Sequence, residues 1–190
     1  MRQFYEDFWA DPPVGTPYAW NQRWNLLEAE LRPGDRVLDY GCGDGEFLEL
    51  LDNASGVEIA EAAIEQVRAI APEADVRRLE DDGTIPFGHG EFDLVWCSEV
   101  LEHIPDVGFA LSELRRVLKP GGRLLLTVPY HGRFQAAWIA LTRFESHFDP
   151  LGQHVRFFTR RSLTEALEAN GFEPTVRRAG EMLLARAERR

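Results

Sequence analysis

At 190 residues the chain has the length of one domain, with room for a sizeable buried core. Its formal charge of −11 excludes a partner held mainly through phosphates, because long-range repulsion opposes nucleic acid and anionic membranes alike. Two cysteines, Cys42 and Cys97, supply neither a disulfide framework nor a C-x-x-C metal pair, and no run approaches the ~18 apolar residues of a membrane helix, so a reduced, unprocessed cytoplasmic protein is expected.

Residues 1–31 come first and carry Phe4, Tyr5, Phe8, Trp9, Tyr18, Trp20 and Trp24, an aromatic density far above that of the remaining chain. They are expected to form a helical cap in which most rings pack and the rest wall a pocket. The first strand, Arg36–Asp39, runs into Gly41-Cys42-Gly43-Asp44-Gly45, where glycines on alternate positions let backbone approach a bulky ligand. A helix is expected over Glu46–Leu51. The turn departs from the dinucleotide fingerprint, since the third glycine of G-x-G-x-x-G falls at Glu46. A pyrophosphate there meets a carboxylate at a helix N-terminus, whereas a ligand with a cationic head is favoured.

Downstream, strands and helices alternate, which predicts a parallel sheet covered on both faces. Strands are expected at Ala54–Glu58, Asp75–Leu79, Phe92–Cys97 and Arg123–Val128, with helices at Ala60–Ala71 and Val107–Leu118, the last stopped by Lys119-Pro120-Gly121-Gly122. Glu58 closes the second strand 17 residues beyond Gly41, a position from which an acid accepts ribose hydroxyls; a helix N-cap is its other role. Tyr130–Val155 is an insertion with His131, His147 and His154, and its middle, Ala136–Leu141, is apolar on more than one face, as in a buried lid helix or a dimer contact. Thr159 caps a helix over Arg160–Asn170 that Gly171 ends, and strands follow near Glu173–Arg178 and Met182–Ala187.

The glycine turn resembles motif I of the class I S-adenosylmethionine-dependent methyltransferases. The likeness extends through Glu80-Asp81-Asp82, the Phe92-Asp93-Leu94-Val95 segment, Ser98-Glu99-Val100-Leu101-Glu102-His103 and the Leu118–Leu124 turn, covering about residues 36–129. It implies a Rossmann-like, doubly wound α/β fold whose mostly parallel seven-stranded sheet has an antiparallel last strand. One domain over 1–190 is expected, divided into an N-terminal cap (1–31), a cofactor-binding core (36–129), a substrate lid (130–155) and a C-terminal helix with strands (156–190). Asp39, Gly41, Gly43 and Glu58 are the expected S-adenosylmethionine residues, with Asp81 facing the adenine amino group and Cys42, Ile59, Asp82 and Ser98 contributing backbone.

Methyl transfer is an in-line displacement at carbon on a positively charged sulfur, so alignment and desolvation provide most of the acceleration. A hydroxyl acceptor gains from a base, and His103, His131, His147 and His154 are candidates, His154 and His103 foremost. Glu99, Glu102 and His103 share one face at helical spacing, and His154 closes the set. That arrangement resembles the divalent-metal site of ubiquinone-pathway O-methyltransferases and of small-RNA 2′-O-methyltransferases, but E-V-L-E-H also occurs in members without metal, and metal-free transfer is the expectation adopted. The expected protein is a monomer or homodimer that methylates a small organic molecule on oxygen, with nitrogen and carbon acceptors open, and with metal-dependent transfer, an S-adenosylmethionine-binding regulator without catalysis, and an NAD-dependent oxidoreductase as alternatives.

Overall fold

The computed structural model describes residues 2–11, 19–130, 132–142 and 155–190. Its strands are β1 (Val37–Tyr40), β2 (Ala54–Glu58), β3 (Asp75–Arg78), β4 (Phe92–Ser98), β5 (Leu118–Pro129), β6 (Phe172–Ala179) and β7 (Met182–Arg189). They form one sheet in the order β3-β2-β1-β4-β5-β7-β6. The first five pair in parallel, and β7 runs antiparallel to both β5 and β6. This is the Rossmann-like, doubly wound arrangement expected from the sequence. The strand order reverses between β1 and β4, and the carboxyl ends of strands at such a reversal frame a ligand crevice.

Period-2 alternation divides the core between the two faces. Val95, Cys97, Leu124 and Leu126 point to one side, where α4 (Val107–Val117) and α6 (Arg160–Ala169) cover them with Leu111, Leu114, Leu163 and Leu167. Leu94, Trp96, Leu125 and Leu184 point to the other, beneath Leu26 and Leu27 of α2 (Trp20–Glu30). Two more helices, α1 (Arg2–Ala10) and α3 (Glu61–Ile70), pack on each other beside the glycine turn. The α6 cap forms as expected: the Thr159 hydroxyl accepts from the Ser162 N–H and Ser162 Oγ accepts from the Thr159 N–H.

Three expectations need correction. Glu46–Leu51 is not an α-helix but a single 3-10 turn at Leu48–Leu50, because the few residues before β2 do not recover the cost of nucleating a helix. Lys119-Pro120-Gly121-Gly122 ends α4 but lies inside β5. Pairing with β4 passes from Phe92–Leu118 to Leu94–Arg123, so these four residues bulge opposite Asp93, whose carboxylate takes the Lys119 ammonium at 2.7 and 2.8 Å. The apolar middle of the insertion does form a helix, α5 (Arg133–Thr142), but it is not a buried one: Ile139 is buried while Trp138 and Leu141 are 64% and 84% exposed.

Candidate functional site

The carboxyl ends of β1, β2 and β4 open into a cavity of about 360 Å³. The glycine turn makes its floor. Gly41 donates to the Val57 carbonyl at 2.9 Å, and its φ of +76° places the turn where a Cβ would lie 2.5 Å from Val100. Gly43, at φ +53°, faces the Trp9 indole, which an added Cβ would meet at 2.8 Å. Backbone alone therefore fits between α1 and the end of β4.

Glu58, at the end of β2, fastens this floor. One carboxylate oxygen accepts from the Gly43 N–H at 3.0 Å, and the other accepts from Ile59 at 2.6 Å and Ala60 at 3.2 Å. Burial pushes its pKa upward against those three donors. The N-cap of α3 is Ala60 rather than Glu58, whose carboxylate instead ties the glycine turn to the two residues ahead of that helix and, as an acceptor, retains further lone pairs for a ligand.

Asp39 sits across the floor on β1, 3% exposed, and its Oδ2 has no hydrogen-bond partner among the described residues. Burial above all, then the nearby Glu58 charge, pushes its pKa up to about 8, while Arg23 pulls it down. Because Asp39 follows Leu38 in the strand alternation, it points to the α2 side of the sheet, from which Arg23 reaches in. The Arg23 guanidinium donates to Ser98 Oγ at 3.2 Å and lies 5.4 Å from the centre of the Phe47 ring, and Ser98 in turn bonds Thr127 at 2.9 Å. The Arg23 Nε is buried without a hydrogen-bond partner among the described residues. Asp44, Glu46 and Glu99 also line the cavity, so carboxyl groups outnumber cations there, and the site suits a ligand whose positive charge exceeds a single carboxylate's worth of anion.

The roof is aromatic: Tyr5, Phe8 and Trp9 of α1 line the cavity, with Tyr5 edge-on to His103 at 6.0 Å. Trp20 and Trp24 instead pack on the α2 side of the core. His103 lies on a 3-10 turn after β4, and its Nε2 is 3.7 Å from the Glu102 carboxylate. Glu102 is 1% exposed, neither of its side-chain oxygens has a hydrogen-bond partner among the described residues, and burial with the Glu99 charge pushes its pKa up to about 8. Glu99 adopts φ +56°, unusual for a residue with a side chain. Both thiols are buried and pushed well above the ordinary cysteine range, so neither is a nucleophile near neutrality.

Of the residues singled out in the sequence, Asp39, Gly41, Cys42, Gly43, Glu58, Ile59, Ser98 and His103 come together around this one cavity. Asp81 and Asp82 do not line it. Asp81 accepts from Arg78 at 3.0 Å and Arg2 at 3.3 Å, Asp82 accepts from the Thr84 N–H at 2.9 Å, and Leu79 is the wall residue contributed from beyond β3. His131, His147 and His154 lie outside the described residues. Sequence reasoning missed Arg23, the sole Arg or Lys lining the cavity among the described residues. Its one signal was a cation enclosed by Trp20 and Trp24 in a cap otherwise rich in rings and acids.

A family model described as a methyltransferase domain matches residues 15–176. The 27-O-demethylrifamycin SV methyltransferase of Amycolatopsis mediterranei is 32% identical over 86% of this chain and 73% of its own length. A ubiquinone biosynthesis O-methyltransferase of Pseudomonas aeruginosa is 33% identical over 50% of this chain and 44% of its own, so the chain spans less than half of that relative. A Thermotoga maritima structure described as a SAM-dependent methyltransferase, possible histamine N-methyltransferase, shares the fold at a TM-score of 0.77 and 20% identity, with full coverage of both chains. The chain belongs to the methyltransferase-domain family, of the class I kind that uses S-adenosylmethionine. Among the described residues no helix is long and apolar enough to cross a membrane.

Proposed function

We propose that the protein transfers a methyl group from S-adenosylmethionine to a hydroxyl of a small organic molecule. The observation that carries the donor assignment is the unpartnered, buried Asp39 oxygen beside Glu58 and Arg23 over a floor built from glycine backbone. Each group has a complement in the donor. Asp39 offers an acceptor to the ammonium, Arg23 offers its unpartnered Nε–H to the carboxylate, and Glu58 offers remaining lone pairs to ribose hydroxyls. Leu79 and Ile59 supply the apolar walls that a purine needs. When bound, the donor supplies a methyl carbon on a positively charged sulfur.

The protein's own work is then alignment, exclusion of water and acceptance of the hydroxyl proton. Among the described residues His103 is the candidate for the last task, a reading supported by its position in the cavity lining and against Tyr5. The names of the rifamycin and ubiquinone relatives support oxygen as the acceptor atom. Isothermal titration of S-adenosylhomocysteine, followed by incubation with labelled donor and a panel of phenols and aliphatic alcohols, tests both parts. Binding with label transfer to a hydroxyl is expected; binding without transfer to any acceptor marks a donor-binding regulator instead.

Glu99 and Glu102 favour a second reading, metal-assisted transfer, because three of their buried carboxylate oxygens lack hydrogen-bond partners among the described residues. Among the described residues no three His, Cys, Asp or Glu side chains converge as a metal group. That reading therefore needs His154, which precedes Val155, whose N–H donates to the Glu102 carbonyl at 3.0 Å. Chelator that stops transfer, with Mg²⁺ restoring it, selects this reading; indifference to chelator selects metal-free transfer.

A further inference from the structure

The apolar side of α1 has no packed core of its own. Tyr5, Phe8 and Trp9 line the cavity, none of the nine residues of the helix is buried, and none belongs to the packed clusters of the described residues. A helix this short is not stable by propensity alone. What holds it is polar and lies on one side. The Glu6 carboxylate accepts from the Glu61 and Ala62 N–H groups at 3.0 and 3.1 Å, Gln66 Nε2 donates to the Trp9 carbonyl at 2.6 Å, and Arg2 meets Asp81 at 3.3 Å. Glu58 and Glu6 thereby take four successive N–H groups at the start of α3: Glu58 those of Ile59 and Ala60, just ahead of the helix, and Glu6 those of Glu61 and Ala62, its first two residues. The Glu6 charge is well suited to this place, and its bonds hold its carboxyl below the usual range.

A helix whose apolar face is turned to a ligand-sized cavity, and whose attachment is a few exchangeable hydrogen bonds, is stabilised by whatever fills that cavity. We propose that α1 is a movable roof, latched to α3 by Glu6, that opens to admit the donor and is held shut by it. This rests on the donor reading above. Closure brings Trp9 against Gly43 and Tyr5 against His103, so one helix covers the floor of the donor site and touches the residue assigned to the acceptor proton. Glu6 is a positioning residue: it lies outside the cavity lining and acts through the helix it fixes. Because donor exchange requires the latch to break, its strength sets the dissociation rate more than the association rate.

The test uses the full chain with S-adenosylhomocysteine as probe. Amide hydrogen exchange is followed with and without saturating ligand, and ligand release is timed by stopped-flow tryptophan fluorescence for wild type, Glu6→Gln and Glu6→Ala. Expected are slowing of exchange in residues 2–10 by at least about tenfold beyond that in β5 and β7, and release quickened by about tenfold in Glu6→Ala, with Glu6→Gln between because one acceptor remains. Far-UV circular dichroism and exchange in β5 and β7 should be unchanged in both variants. Equal exchange in α1 with and without bound ligand, or wild-type release rates in both variants, overturns the roof while leaving the donor site standing. No binding heat in the wild type overturns the donor reading and the roof with it.

Discussion

Asp39 shows how one side chain can oppose the fold and serve the ligand. Its folded-state pKa, pushed up to about 8 mainly by burial, lies above that of the unfolded chain. The folded protein therefore holds a proton that the unfolded chain gives up, and the associated stability is full below the unfolded value and is lost as pH rises towards about 8. Asp39→Asn removes this liability. It should raise Tm at about pH 8 by a few degrees relative to wild type while changing little near pH 4, and it should weaken S-adenosylhomocysteine binding by about tenfold or more. Thermal scans across pH and calorimetric titration read the two effects separately. A variant less stable than wild type at high pH would mean that the buried carboxylate is paired in a way the surrounding groups, Glu58, Asp44 and Arg23, do not provide.

At the scale of single elements, the glycine turn is under the strictest demand. Gly41→Ala puts a Cβ 2.5 Å from Val100 at a φ of +76°, so both sterics and backbone conformation oppose it. A cost of more than ~1 kcal/mol in denaturant unfolding is expected, with loss of measurable S-adenosylhomocysteine binding as the turn shifts off the floor. Wild-type affinity in this variant would show that the turn does not carry the donor. The turn was legible in the sequence because glycine is the residue that adopts positive φ without steric cost. The segment after it was not, since Glu46–Leu51 reads as helical locally but has too few residues before β2 to form one. The insertion differs again: its apolar middle, Ala136–Leu141, pointed to a helix, but the outward placement of Trp138 and Leu141 depends on neighbours that composition does not reveal.

For the whole molecule, a buried arginine ties the sheet to the end of the cap and to the connection that follows it. Arg123 of β5 meets Asp35 at 2.6 Å and also donates to the Glu30 carbonyl at the end of α2, and its side chain is 3% exposed. Asp35→Ala leaves that charge buried with one fewer partner, so a loss of ~3–5 kcal/mol is expected in denaturant unfolding, with α2 and hence Arg23 displaced from the cavity. A loss below ~1 kcal/mol would show that water or the Glu30 carbonyl satisfies Arg123 alone.

What the sequence determined by itself was the α/β alternation, the glycine floor, and the acids Asp39 and Glu58 at strand ends, because these depend on local rules: side-chain period, positive φ and the position of a residue at the end of a strand. The tertiary structure decided which distant residues share the cavity. Arg23 enters it because α2 crosses the face of the sheet to which Asp39 points, and Tyr5, Phe8 and Trp9 enter because α1 is fixed to α3. Asp81 turns to Arg78 and Arg2 and leaves the wall to Leu79. These are contacts between elements far apart in the chain, set by packing and by which buried charge finds which partner, and no local pattern encodes them.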